Sequence, residues 1–154
     1  MRLELPDEQA TRKLGQKLAT IVQPGDLIIL NGGLGAGKTT LTQGIAVGLN
    51  VEGTVTSPTF IIARTHPGSI PLVHVDAYRL ATLDEVDDLD LDSELEESLT
   101  VVEWGEGKVE DLSPNRLEIT MVRPRGEDEH GRYAVIHPVG PRWQDQDFSF
   151  LTGE

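Results

Sequence analysis

Residues 32–39 follow the pattern Gly-x-x-x-x-Gly-Lys-Thr, which is typical of a phosphate-binding loop, or P-loop. The glycines let backbone N–H groups turn inward around a polyphosphate. Lys38 is placed to reach the β- and γ-phosphates, and the hydroxyl of Thr39 takes a Mg²⁺ position. The pattern constrains the fold strongly, because such a loop works only between a buried strand and the N-terminus of a helix.

The residues that flank the loop supply this context. Residues 26–30 (Asp-Leu-Ile-Ile-Leu) are a short apolar run between turn-forming residues and predict a strand. Apolar residues recur at helical spacing from Lys38 to Asn50, which predicts a helix. A glycine-rich turn without a ligand is the alternative, but we predict that the chain binds a nucleoside triphosphate. The expected binding residues in the loop are Gly33, Leu34, Gly35, Ala36, Gly37, Lys38, Thr39 and Thr40.

Length and composition limit the class of protein. The chain has 154 residues and no cysteine, so we predict one P-loop domain over 1–139 and no disulfides or thiolate metal sites. No structure is predicted for the tail, 140–154. The sequence shows neither a signal peptide nor an apolar run of about 20 residues, so we expect a soluble, cytoplasmic protein that has no membrane partner. The net charge of −13 argues against a surface that grips nucleic acid by itself.

Patterns along the chain predict an α/β fold, a P-loop NTPase-like three-layer sandwich around a mixed, largely parallel sheet with antiparallel additions. A helix is expected to begin near Asp7 and to end before Pro24–Gly25. A weaker helical pattern spans 83–95, within an acidic segment that is either a solvated face or a docking surface for a basic partner. The remaining predicted strands are residues 60–65, 72–75, 99–102, 117–122 and 133–137.

Two carboxylates follow apolar runs directly, at Asp76 and Glu103. Parallel strands deliver such residues to the carboxyl edge of the sheet, where open α/β folds bind ligands. We predict that one carboxylate holds or orients Mg²⁺ while the other polarises the attacking water. Spacing alone does not divide the two roles, and a solvated acid at a strand end is the alternative for each.

Other positions are weaker candidates. Hydroxyls in the loop 56–59 could meet a γ-phosphate, or the loop is a simple proline-containing turn. Trp104 fits a packed aromatic side chain better than one that stacks on a nucleotide or faces a partner. The four histidines show no spacing typical of metal ligands and are interpreted as structural or surface residues. Motifs for guanine recognition are absent from the sequence, which argues against an ordinary GTPase.

Several motifs in order resemble the bacterial TsaE family (formerly YjeE), small ATPases of tRNA threonylcarbamoyladenosine biosynthesis. The P-loop segment Leu-Gly-Ala-Gly-Lys-Thr-Thr lies at 34–40, and Ser-Pro-Thr-Phe lies at 57–60. They are followed by His-Val-Asp-Ala-Tyr-Arg-Leu at 74–80 and by Val-Glu-Trp-Gly-Glu at 102–106. The last two motifs at this separation are specific to the family, whereas the P-loop alone is generic.

The resemblance implies a P-loop fold that binds ATP or ADP with Mg²⁺. The family pattern implies that Thr39 and Glu103 ligate the metal and that Asp76 lies in the Mg²⁺ shell; with Lys38, the two acids form the expected catalytic set. Glu8 and Arg132 align with nucleotide-contacting positions. The family acts with TsaB-type and TsaD-type partners, of which the TsaD-type enzyme transfers the threonylcarbamoyl group. Contact with tRNA is therefore expected only through the complex.

The chain departs from the family at Gly33, where an Asp or Glu is usual. An acid at this position would help to position water or a partner group, so we expect slow hydrolysis by the protein alone and completion of the site by its partners. Two other classes stay open on the residues alone. One is a small-metabolite kinase, although no lid or acceptor pocket is visible; the other is a nucleotide-gated binding module that hardly hydrolyses ATP.

Overall fold

The fold is given by a computed structural model. Of Ala63, Arg64 and Asp76 only the backbone is described. The described residues are 1–32, 36–51, 63–76, 97–103, 115–123 and 132–152.

Seven strands and two α-helices make up most of the described chain. Six of these elements match predicted ones to within about two residues at each end, and α1 begins as predicted but ends at Ala19, earlier than the predicted end before Pro24–Gly25. Strand β3 overlaps the predicted strand 60–65, whose first three residues lie outside the described residues, as does the helical pattern at 83–95. Strand β1 was not predicted. The elements are β1 (Arg2–Leu5), α1 (Glu8–Ala19), β2 (Leu27–Gly32), α2 (Lys38–Gly48), β3 (Ala63–His66), β4 (Leu72–Asp76), β5 (Leu99–Glu103), β6 (Arg116–Val122) and β7 (Arg132–Val139).

The strands form one sheet in the order β1-β7-β6-β2-β5-β4-β3. Strand β2 runs parallel to both of its neighbours, β5 and β6, and β4 runs parallel to β5. The outer strands β1, β7 and β3 are added antiparallel. Both faces of β2 are fully buried, as expected for a central strand of a three-layer sandwich. The predicted α/β fold with a largely parallel sheet and antiparallel additions is confirmed.

The two helices pack closely against each other. Asp7 caps the N-terminus of α1, because its Oδ1 accepts a hydrogen bond from the N–H of Ala10 at 2.8 Å. A Cβ atom at Gly15 would overlap the carbonyl oxygen of Leu41, and one at Gly44 would overlap that of Arg12. Glycine therefore sets the distance between α1 and α2, and so the position of α2 behind the P-loop. Neither described helix has the length and apolar character that a membrane span requires.

The C-terminal residues pack onto the core on the α1 side. Two short 3₁₀ turns, Pro141–Trp143 and Ser149–Thr152, bring Trp143 and Leu151 into the hydrophobic core. Between these residues and the start of β2, the guanidinium of Arg142 donates to Asp26 at 3.2 and 3.3 Å and to the carbonyl oxygen of Ile21 at 3.0 Å. This contact ties the chain after β7 to the turn before β2, which precedes the P-loop.

The Asp26 carboxyl gives a pH-dependent contribution to stability. Burial raises its pKa above the ordinary value, against the smaller lowering effects of the Gln23 N–H and of Arg142. When the pKa of a carboxyl is raised in the folded state, its contribution to stability is fully present at pH values below the unfolded pKa of about 3.9. This contribution is lost as the pH rises through the folded pKa.

We therefore expect the stability advantage of the wild type over Asp26→Asn to shrink as the pH rises from about 3.5 to 7. Urea unfolding of both chains at several pH values measures this difference, and ionisations shared by both chains cancel. An advantage that grows with pH would mean that attraction to Arg142 outweighs the cost of burial.

Candidate nucleotide-binding site

The P-loop, residues 32–39, starts at the last residue of β2 and ends at the second residue of α2. Gly37 is the N-cap residue of α2 and has φ = 105°. This is a left-handed backbone conformation that residues other than glycine rarely adopt. The first-turn N–H groups of α2 thus begin directly after a glycine, as a phosphate-binding helix N-terminus requires. Ala36 is buried and Thr40 half-buried. Gly33, Leu34 and Gly35, predicted to contact the nucleotide, lie outside the described residues.

Lys38 is a buried cation at the base of this loop. Its side chain begins on the first residue of α2, and the whole residue is only 6% exposed. The ammonium Nζ donates a hydrogen bond to the carbonyl oxygen of Gly32 at 2.8 Å. The positive charge is therefore held between the two ends of the loop, where a phosphate group would neutralise it.

Glu103 is a buried carboxylate at the end of β5, 4% exposed. Its Oε1 accepts a hydrogen bond from the hydroxyl of Thr39 at 3.4 Å. Its Oε2 lies 2.5 Å from Nε2 of His74, which is fully buried on β4. Since an ionised carboxylate only accepts, Nε2 is assigned as the donor. The carboxylate is thus held between the P-loop helix and the neighbouring strand.

The register of the sheet brings the second predicted acid to the same place. Asp76 is the register partner of Glu103 in the parallel pair β4–β5, and Glu103 is the partner of Leu30 in β2–β5. Two residues after Leu30, the P-loop begins. Asp76, Glu103 and the loop therefore share the carboxyl edge of the parallel strands, where α/β folds bind ligands. The side chain of Asp76 lies outside the described residues.

Arg132 and Glu8, which the family resemblance suggested as nucleotide contacts, have different surroundings in the structure. Arg132 opens β7 beside the loop, because a Cβ atom at Gly37 would lie 4.0 Å from its Cδ and 3.8 Å from Cγ2 of Thr11. Glu8 lies on α1 three residues before Thr11. Its exposed carboxylate is 3.5 Å from the guanidinium of Arg12. The structure brings Arg132 next to the P-loop, whereas it pairs Glu8 with its own helix.

Sequence reasoning missed the place of His74, which was grouped with the other histidines as structural or surface. The signal was present: His74 and Asp76 are two residues apart on one strand and so occupy the same face. Among the described residues its Nδ1 has no hydrogen-bond partner, so the contact of the ring with Glu103 is made through Nε2 alone. The loop 56–59 and Trp104 lie outside the described residues.

The oxygen atoms gathered here suit a hard cation. The Thr39 hydroxyl and the Glu103 carboxylate are ligand types that Mg²⁺ prefers, and Mg²⁺ usually keeps several waters and binds one or two carboxylates plus phosphates. Among the described residues, no group of three or more His, Asp and Glu side chains forms an all-protein cage. The oxygen atoms of Thr39 and Glu103 are therefore suited in type to a hard divalent cation.

Comparison with known proteins identifies a family. A family model described as "Threonylcarbamoyl adenosine biosynthesis protein TsaE" matches residues 5–132. A Streptomyces coelicolor protein named "tRNA threonylcarbamoyladenosine biosynthesis protein TsaE" is 53% identical over 147 residues, which cover 92% of this chain and 99% of the relative. A Bacillus subtilis protein with the same name is 40% identical and covers 90% of this chain and 85% of the relative.

A solved structure shares the fold. The crystal structure of YdiB from Bacillus subtilis aligns with a TM-score of 0.75 and 33% sequence identity. The alignment covers 93% of this chain and 88% of that protein.

The pair formed by His74 and Glu103 can be tested by a double-mutant cycle. His74→Leu removes one of the two hydrogen bonds to the buried Glu103 carboxylate, so we expect a loss of about 1.5–3 kcal/mol in unfolding free energy. In a Glu103→Gln background the same change should cost less, with a coupling energy on the order of 1–3 kcal/mol. Chemical denaturation of the four chains measures both terms.

Thr100→Val is the matched control, because Thr100 is buried in β5 and its hydroxyl has no partner among the described residues. We expect Thr100→Val to lower the unfolding free energy far less than His74→Leu does. Additive effects of His74→Leu and Glu103→Gln would show that the two side chains do not depend on each other.

Proposed function

Because the chain belongs to the TsaE family of threonylcarbamoyl adenosine biosynthesis proteins, we propose that it is an ATP-binding and ATP-hydrolysing accessory protein of tRNA threonylcarbamoyladenosine formation. One observation carries this proposal: the buried carboxylate of Glu103 lies within hydrogen-bond distance of Thr39 in the P-loop. Thr39 directly follows Lys38, whose side chain is a buried cation. This arrangement offers one positive group for phosphate and an oxygen pair for a divalent cation.

Binding of the triphosphate rests on the loop and the start of α2. The helix N-terminus presents backbone N–H groups to the phosphates, and Lys38 exchanges the carbonyl oxygen of Gly32 for a phosphate oxygen. Arg132, beside Gly37, adds a second positive charge near the loop. Thr39, Glu103 and Asp76 would hold Mg²⁺, which supplies neutralisation of the charge that develops on the phosphate oxygens.

Hydrolysis needs an oriented water that attacks the γ-phosphorus and breaks its bond to the oxygen of the ADP leaving group. Thr39 and His74 each engage one oxygen of Glu103, which favours a holding role for this carboxylate over a proton-accepting one. The proposal therefore assigns Glu103 to the metal. It assigns Asp76, at the adjacent register position, to the metal-bound water shell and to orientation of the attacking water.

The accessory role follows from the surface charge and from the family. A chain of net charge −13 is poorly suited to grip tRNA directly, because binding to phosphates needs positive side chains. We propose that it acts through TsaB-type and TsaD-type proteins, of which the TsaD-type enzyme transfers the threonylcarbamoyl group. With Gly33 in place of an acid, the partners complete the catalytic site.

The nucleotide part of the proposal is tested with Lys38→Ala. Removal of a charge-assisted hydrogen bond of about 1.5–3 kcal/mol should weaken ATP binding in titration calorimetry by about tenfold to a hundredfold, with the fold intact by circular dichroism. Lys17→Ala, at the far end of α1, is the control and should bind normally. In a reconstituted tRNA modification assay Lys38→Ala should fail to replace the wild type; normal ATP binding by this variant would contradict the P-loop assignment.

Partner dependence is tested by ATP turnover. We expect slow release of phosphate by the protein alone and a clear increase when TsaB-type and TsaD-type proteins are added, with Lys38→Ala plus both partners as the background control. Equal rates with and without partners would exclude completion of the site by the complex. Support of tRNA modification by a nonhydrolysable ATP analogue would instead favour a nucleotide-gated binding module.

A further inference from the structure

A cleft of about 430 Å³ lies between β1, which is an edge strand of the sheet, helix α1 and the C-terminal turn. We call it the β1 cleft. Its lining combines the whole of β1 with Pro6, four residues of α1 and Leu151. The side chains of Leu3, Leu5 and Leu14 are buried beneath it. The cleft therefore has an apolar floor, one wall formed by a strand edge and one wall formed by a helix.

The strand edge in this cleft carries backbone groups that point outward. Met1 and Ile136 exchange hydrogen bonds in both directions, at 3.2 and 2.8 Å, so they form a hydrogen-bonded antiparallel pair. Such pairs alternate along a ladder, which makes Leu3 and Leu5 the next residues bonded to β7. The N–H and C=O groups of Arg2 and Glu4 face the outer edge, where no described strand pairs with them.

The helix wall is basic in a chain that is otherwise strongly acidic. Lys13 and Lys17 lie four positions apart and so share one face of α1, and both line the cleft. The Glu4 carboxylate on the strand wall is paired with Arg2 at 2.9 Å. At the other end of the cleft, Pro6 and Ala10 provide an apolar lining without charge.

The spacings of the two walls agree. Four residues along a helix rise about 6 Å, and two residues along a strand rise about 6.6–6.8 Å. An extended chain that pairs with the outward groups of Arg2 and Glu4 would therefore carry side chains at every second position with nearly the same spacing as Lys13 and Lys17. Carboxylates at those positions would be opposite in charge to the two lysines of the helix wall.

We propose that the β1 cleft is a docking site for an extended acidic segment of a partner protein, which adds to the sheet as a strand beside β1. The segment carries carboxylates at two alternate positions facing Lys13 and Lys17, and an apolar residue two positions further along that lies over Pro6 and Ala10. Backbone hydrogen bonds to β1 give affinity, and the lysines give specificity. This site is separate from nucleotide binding and does not rest on the function proposed above.

Selection from a random peptide library tests the charge rule. We expect peptides selected on the wild-type chain to carry carboxylates at alternate positions, and peptides selected on Lys13→Glu/Lys17→Glu to carry lysine or arginine there. Binding of a selected acidic peptide to the double variant should weaken by at least about tenfold. Selection of the same sequences on both chains, or of none on the wild type, would overturn the proposal.

Glu4→Pro tests strand addition itself. The Glu4 N–H faces outward, so proline removes a donor at the edge without breaking a bond to β7. We expect the selected peptide to bind this variant about fivefold to tenfold more weakly, in line with one lost hydrogen bond. Glu4→Ala is the matched control and should bind the peptide normally, and the unfolding midpoint shows that both variants are folded.

Two outcomes decide against the proposal. Unchanged peptide binding by Glu4→Pro would exclude strand pairing. Concentration-dependent dimers of the wild type that are lost in Glu4→Pro would identify a second copy of this chain, rather than a partner protein, as the occupant. Lys38→Ala should bind the peptide normally, so that failure of the nucleotide site and failure of this proposal are distinguishable.

Discussion

The Glu103 carboxylate connects the parts of the candidate site that the chain supplies from distant positions. One of its oxygens lies against Thr39 of α2 and the other against His74 of β4, while its own backbone lies beside β2 in the sheet. A carboxylate that is 4% exposed is stable only with such partners, because burial of an unpaired charge is very unfavourable. The position of α2 relative to the sheet and the hydrogen bonding of this side chain thus depend on each other.

The close contact of α1 with α2 supports this arrangement from the other side. Backbone carbonyl groups occupy the space that side chains at Gly15 and Gly44 would fill, so α2 has little freedom to slide along α1. The start of α1 and the start of β7 also lie beside Gly37, through Thr11 and Arg132. The end of the P-loop is therefore surrounded by rigid elements, which is the condition for a well-positioned phosphate site.

Local patterns predicted most of the fold. Short apolar runs that end in a single acid predicted β4 and β5, and the P-loop pattern predicted β2 and α2, because these signals depend on neighbouring residues only. The alternation of Arg-Leu-Glu-Leu in β1 is also a strand signal, but four residues directly before a proline were too few to stand out. What sequence reasoning missed depends on contacts between residues far apart in the chain.

The contact of Arg142 with Asp26 joins residues that are 116 positions apart, and no local pattern predicts it. His74 was missed as a neighbour of Glu103 for a related reason: the parallel order of β4 and β5 had first to be known. The backbone register places Asp76, Glu103 and the end of β2 at one edge of the sheet. The roles assigned to the site residues, including Asp76 and residues 33–35, stay predictions.

A ligand that binds Lys38 must replace the existing hydrogen bond from this side chain to the carbonyl oxygen of Gly32. A carbonyl dipole already satisfies part of the ammonium, and a ligand that takes its place must offer more than another neutral acceptor. A phosphate oxygen with formal negative charge meets this condition, since charge-assisted hydrogen bonds are roughly twice as strong as neutral ones. A nucleoside or any other uncharged metabolite gains nothing from the exchange, so at the proposed site Lys38 would favour anionic ligands over neutral ones before any contact with a base or sugar.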